Sequence, residues 1–181
     1  MVLISRSYAI GAVCDSCSLG HFENMDALKA MAKLAYYQSA ASHDDDPFDL
    51  ACSRLFAIDE TGRLRLILES PDVYVGMAAI PCLHSTIGAN PFVVVETCGW
   101  AAPLDAAQEV PPRPADHPLR RRVRLVIISD RRGAIASAIG FADQPHDLLV
   151  EAEGTDGSLA DALRESMRRL DLVQSLPGYG P

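Results

Sequence analysis

The sequence predicts an α+β domain, an antiparallel sheet of about five strands with helices packed on it, in the order α-β-β-α-β-β-β-α. Three observations carry that prediction. Apolar residues recur at helical spacing in MDALKAMAKLAYYQSA near the start and in SLADALRESMRRLDLV near the end. Between them, two pairs of apolar runs are each joined by a short turn, Asp59-Glu60-Thr61-Gly62 and Asp130-Arg131-Arg132-Gly133. No internal repeat breaks the succession, and 181 residues are enough to bury a sizeable core as one domain, 1–181.

The elements follow in order. Residues 1–23 are a Cys-containing N-terminal segment. Asn24 is a favourable N-cap, and Met25, Leu28, Met31, Ala32 and Ala35 then line one face of a helix. The polar stretch SHDDDPFD ends it. In RLFAIDETGRLRLILES, Leu64, Leu66 and Leu68 alternate with Arg65 and Ile67, which predicts one firmly buried face. Residues 72–90 read either as an apolar helix broken at Pro81 or as a strand and a short helix; the order above takes the helix. PFVVVETCGW is rich in β-branched residues and reads as a strand.

A Pro-rich loop, 101–118, follows with Pro103, Pro111, Pro112, Pro114 and Pro118, which cannot donate to a ladder and favour an exposed, partly polyproline-like path. In the next strand Val123, Leu125 and Ile127 take one face. Arg122, Arg124, Val126 and Ile128 take the other, which turns from basic and solvated to apolar and covered. The last helix is predicted from Ser158, with Asp161 completing an approximate capping box and Leu159, Leu163, Met167, Leu170 and Val173 on its buried side.

Charge narrows the functional classes. The net charge is −8, which argues against general nucleic-acid binding by the whole surface. Yet Arg113, Arg120, Arg121, Arg122, Arg124, Arg131 and Arg132 place seven of the 16 basic residues between Trp100 and Phe141. That polarity predicts a partner-facing patch. Arginine outnumbers lysine 14 to 2 and alanine is abundant, a composition that fits a bacterial or phage source. The first residues, MVLISRSYAIGAVC, are too short and polar for a secretory signal, and no run approaches the roughly 18 apolar residues of a membrane helix. The expectation is a cytoplasmic protein with reduced cysteines and no membrane association.

Three chemistries compete. Cys14-Asp15-Ser16-Cys17 can aim two thiolates at one zinc, with His21 as a third ligand. CDSCSLGHFENMDALKAMAKLA resembles the cysteine knuckle that precedes a helix in small zinc-binding modules, but the histidine pair such modules use is missing. The same pair could serve thiol chemistry. The arginine run supports either phosphate contact or a protein interface, or it guards a strand edge. No GxGxxG, P-loop, GxSxG or HExxH is present.

Trp100 at a strand end, the His117-Pro118 close of the Pro-rich loop and Arg120-Arg121-Arg122-x-Arg124 resemble a pattern of uncharacterised small actinobacterial proteins. That resemblance covers about a quarter of the chain and implies no activity. The order of elements after Asn24 is similar to profilin-like and roadblock domains, which implies their helix-covered sheet and dimerisation or partner binding. The leading reading is a non-enzymatic interaction module, self-associating or binding a protein through Trp100, His117, Arg120, Arg121, Arg122 and Arg124, with no cofactor. The alternatives are a zinc-stabilised nucleic-acid-associated protein and a thiol-dependent enzyme.

Overall fold

Runs of β-branched residues buried on both sides set the architecture. In a computed structural model, which describes residues 18–42, 46–102, 114–152 and 157–178, six strands form one antiparallel sheet. They are β1 (Ser53–Ile58), β2 (Leu64–Ser70), β3 (Phe92–Ala101), β4 (Arg121–Asp130), β5 (Ile135–Phe141) and β6 (Gln144–Glu151), in spatial order β2-β1-β3-β4-β5-β6. Helix α1 (Ser18–Ala40) covers one face. The other is covered by α2 (Val73–Ala78), a 3-10 turn (Ile80–Leu83), α3 (His84–Ile87) and α4 (Ser158–Ser175).

Central strands serve two cores at once, so their side chains alternate between apolar partners rather than between core and water. Val93, Val95, Val123, Leu125 and Ile127 pack against Met77, Leu163, Met167 and Leu170. Val94, Val126 and Ile128 pack against Leu28 and Ala32 of α1. The predicted α+β class and the helical character of residues 72–90 hold. Asp72 starts α2 by accepting from the amides of Tyr74 and Val75 at 2.8 and 3.1 Å, and Pro81 falls in the first turn of the 3-10 segment, where its missing amide is no loss.

Several local expectations are corrected. A sixth strand, β6, follows β5 after a two-residue turn; its Pro145 and the polar residues around it hide it, and it pairs regularly only through Leu148–Glu151. α1 begins at Ser18 rather than after Asn24, so Asn24 lies inside the helix. On β2 the pairing jumps from Leu68 opposite Leu55 to Leu66 opposite Phe56, leaving Ile67 as a bulge. The bulge breaks the alternation: Leu64 and Leu68 serve different cores, and Leu66 is exposed rather than firmly buried. At α4 no capping box forms. Gly157 is the N-cap at φ 120°, the Ser158 hydroxyl pairs with Tyr74 Oη at 2.7 Å, and Asp161 holds Arg164 at 2.9 Å.

The largest correction concerns Arg124. It is 1% exposed and its partner Glu96 is 0% exposed, both inside the core between the sheet and α1. Arg124 Nε donates to Glu96 Oε1 at 2.6 Å, and its Nη2 donates to the Tyr36 carbonyl at 2.9 Å and to the Ser39 hydroxyl. The guanidinium also lies 4.2 Å from the centre of the Tyr36 ring. Burial raises the Tyr36 phenol above its ordinary pKa, with the Arg124 charge opposing. Gly140 stands opposite Arg124 on β5, and a Cβ there would come within 2.7 Å of Tyr36 Cζ, so the ring needs the glycine. A charge ladder runs outward from this pair: Arg54 is the cross-strand partner of Glu96, and Arg54 Nε donates to Glu69 Oε1 at 2.9 Å on the edge strand.

Two stability predictions follow from this cluster. Arg124→Ala strands the Glu96 charge in the core and should cost about 3–5 kcal/mol in urea unfolding, whereas the double change Arg124→Met with Glu96→Leu should cost far less. Equal losses in the single and double variants would show that the pair is not the governing term. Gly140→Ala should destabilise by about 1–3 kcal/mol through overpacking against Tyr36, and an unchanged midpoint would mean that α1 shifts freely.

Candidate functional site

The arginine run does not form one basic face. Arg121 stacks 4.0 Å over Phe141 and holds Asp143 through Nε and Nη2, which depresses the Asp143 carboxyl below its ordinary pKa. Arg122 donates to the Phe48 carbonyl at 2.8 Å and pairs with Asp49. Arg124 is buried, as above. Arg131 donates to the carbonyls of Asn90 and Gly88 and to Gln174 Oε1, tying the end of α3 to α4. Among the described residues only Arg120 and Arg132 of this run lack an anionic or carbonyl acceptor, and they lie at opposite ends of the ten-residue β4. That spacing offers no track for consecutive phosphates.

Trp100 lies half-buried opposite Arg122, with the guanidinium carbons of Arg120 and Arg122 at 5.2 and 5.3 Å from its ring centre. Both contacts are cation–π pairs that fix the ring and the arginines together. Residues 103–113 of the predicted Pro-rich loop, with Pro103, Pro111, Pro112 and Arg113, lie outside the described residues; just before β4 the chain forms a 3-10 turn, Pro114–Asp116. His117 Nδ1 accepts from the Leu119 amide at 3.0 Å, and the Leu119 side chain is exposed beside Arg120. The structure thus brings Trp100, Arg120 and Arg122 together. Arg121 sits across the strand on Phe141, and His117 serves the local turn.

The predicted metal ligands Cys14 and Cys17 lie outside the described residues, as does the His21 side chain, whose backbone falls in α1. Among the described residues no three His, Cys, Asp or Glu side chains come together as a metal site. Cys98 Sγ donates to the Pro47 carbonyl at 3.3 Å, and burial pushes its thiol above the ordinary pKa, the reverse of an activated nucleophile. Cys82 is exposed and Cys52 half-buried, both free. No helix is long and apolar enough to cross a membrane among the described residues.

A surface that the charge pattern does not reveal lies on α1. Met25, Leu28, Ala32, Ala35, Tyr36 and Ser39 face the sheet. Ala27, Ala30, Leu34, Tyr37 and Ala41 are all exposed, with Leu34 at 40% and Tyr37 at 53%. Their spacing of three, four, three and four residues places them on one stripe, about 180° around the helix from its core side. Beside the stripe a groove of about 270 Å³ opens between Gln38 and Ser42 on α1, the floor of Arg54 and Phe56, and Leu64 and Leu66 on β2. Leu66 is 49% exposed at its rim.

The groove's polar groups already have partners. The Gln38 amide donates to the Gly62 carbonyl at 3.1 Å and accepts from the Leu64 amide at 3.2 Å, and the Ser42 hydroxyl donates to the Ser39 carbonyl at 2.6 Å. What the groove offers an incoming molecule is apolar contact. A heptad-spaced stripe of Ala27, Ala30, Leu34 and Tyr37 was readable in the sequence; counting the core face alone hides it.

Both sheet edges are guarded. β6 carries Pro145 and a bulge, with Gln144, His146 and Asp147 exposed. β2 carries its bulge at Ile67, and a symmetric pairing over residues 63–66 that keeps the leucines on one face sets Arg65 against Arg65 or Arg63. Contact by edge pairing is disfavoured, so the helix face is the open surface.

Thiol labelling checks the cysteine assignments. Of the three described cysteines, Cys82 should alkylate first and Cys98 last at neutral pH, read by peptide mass mapping; Cys98 reacting as fast as Cys82 would contradict its buried, raised-pKa setting.

Family models, curated proteins and solved structures compared with the chain give no match, so the functional argument rests on this geometry.

Proposed function

We propose that this chain is a protein-interaction module whose partner seats on the outward side of α1 and the groove beside it. The observation that carries the reading is the exposed stripe of Ala27, Ala30, Leu34 and Tyr37, opposite the helix's own core side and beside the groove that Leu66 rims. The helix has two apolar sides separated by polar residues such as Asp26, Lys33 and Gln38, and only one of them is covered by the chain itself. Large apolar side chains gathered on one surface mark a contact site more often than scattered ones do.

The Trp100 end of β3 and β4 is a second contact in this reading. Arg120 has no carboxylate among the described residues, and exposed Leu119 adjoins it. Tryptophan and arginine are the residue types that dominate interface energetics. Because Arg121, Arg122 and Arg124 are matched by Asp143, Asp49 and Glu96, this end meets a partner with one outward cation rather than a basic field, which favours a protein over a nucleic acid.

Photo-crosslinking tests the reading. A photoreactive phenylalanine analogue is placed at Tyr37, at Leu119 or, as control, at exposed His146, in the cells that produce the protein. Protein adducts are expected from Tyr37, more weakly from Leu119, and not from His146. Absence of adducts at Tyr37, or equal adducts at all three, would overturn it.

A further inference from the structure

We infer that the occupant of the α1 surface is a second copy of this chain, its α1 packed antiparallel against the first in a two-fold dimer; the inference rests on α1's outward side being an interface. The argument begins with side-chain size. Along the stripe the small residues Ala27 and Ala30 come first and the large residues Leu34 and Tyr37 follow. An antiparallel two-fold pairing centred near Ala32 sets Ala27 against Tyr37 of the partner copy and Ala30 against its Leu34. Every layer then holds one large and one small side chain, the arrangement that fills a helix–helix seam evenly. A parallel pairing stacks Tyr37 on Tyr37 and Ala30 on Ala30, which crowds one end and leaves the other hollow.

Charge weighs less against this face than against the rest of the surface. The chain carries −8, so two copies repel over most of their surface. Between Met25 and Ala41 the charged residues are Asp26, Lys29 and Lys33, one net positive charge, and the two lysines are the only ones in the chain. Asp26 and Lys33 flank the stripe on the same side. In the antiparallel pair Asp26 of one helix lies about 7.5 Å in axial rise from Lys33 of the other, inside the screening length. The two Lys33 groups approach near the two-fold axis and oppose this in part, so charge permits the contact and the apolar layers drive it.

Area sets the strength. In this pairing residues 24–40 of the two helices overlap, about 26 Å long and about 10 Å across, a footprint of roughly 250 Å². That is under half of the about 800 Å² per partner of a standard stable complex. The Leu66 rim adds to it without closing the gap. The dimer is therefore weak and concentration-dependent.

Sedimentation velocity of the full chain over a wide concentration series is the test. The weight-average mass should climb from 19.5 kDa towards twice that value. Leu34→Ala hollows two layers and Ala30→Leu overfills them, and each should weaken association by roughly tenfold. The double variant Ala30→Leu with Leu34→Ala restores one large and one small residue per layer only if 30 faces 34 of the other copy, so it should recover association. Both sites face solvent in the monomer, and unchanged helical circular dichroism confirms that each variant folds. A chain that stays monomeric while Tyr37 still crosslinks to another protein overturns the second-copy inference and leaves the interaction module standing. A monomeric chain without adducts overturns both. A dimer indifferent to the single changes, or not rescued by the double, overturns the antiparallel helix pairing.

Discussion

Burying Arg124 beside Glu96 constrains the rest of this structure, because a guanidinium taken out of water needs its hydrogen-bond demand met by fixed groups. Glu96 on the neighbouring strand supplies one acceptor, and the Tyr36 carbonyl and Ser39 hydroxyl supply the others. Those last two belong to α1. The helix is thereby fixed in roll as well as in position, since turning it by a single residue would swing both acceptors away. Gly140 gives the Tyr36 ring its place beneath the helix and completes the lock. Once the core side of α1 is fixed, so is its outward side. The stripe of Leu34 and Tyr37 faces solvent as a consequence of how the arginine is satisfied.

The same economy of charge explains why seven arginines in 42 residues do not make a basic face. Side chains on β4 alternate between faces, so neighbouring arginines in sequence part company in space. Arg121 goes to Phe141 and Asp143, Arg122 to the loop that carries Phe48 and Asp49, Arg124 to the interior, and Arg131 to the carbonyls at the end of α3. Each joins elements that are distant in the chain. The arginines act mainly as cross-links, which suits a planar, many-donor cation. Arg120 stands apart because it precedes the strand and, among the described residues, lies over the face of Trp100 rather than against a carboxylate.

Much of this fold is legible in the sequence because the strongest signals are local. The triple valine of β3, the apolar run of β4 with its Asp-to-Gly turn and the four-residue repeat of α4 each carry their own period and their own stop. The misreadings arise where a distant partner decides. The bulge at Ile67 is set by pairing to β1, and no pattern within LRLILES announces it. β6 exists because β5 offers it an edge, despite a proline that argues for a loop. Arg124 looks solvated by its company, Arg120 to Arg122, and only the acid at Glu96 reveals that it is not. Of the residues the sequence groups, Trp100, Arg120 and Arg122 lie together while Arg121 and Arg124 part from them, and the helix stripe passes unnoticed because a single buried face already accounts for a helix.

Protection is distributed unevenly over the surface, and the unevenness bears on what the chain is built to do. An open six-stranded sheet has two edges at which it could polymerise, and both are spoiled, one by a proline and a bulge, the other by a bulge and arginines. Uncontrolled association along the sheet is thus disfavoured. Among the described side chains of α1 no charge interrupts the stripe, where a glutamate or lysine in place of Leu34 or Tyr37 would suit the helix equally well and remove the apolar contact. Under the proposed reading, blocked sheet edges and an exposed apolar helix stripe direct association towards α1 rather than along the sheet. A helix face limits assembly in a way an edge does not: two faces meeting across a two-fold axis close on each other, whereas strand edges can add copies without end.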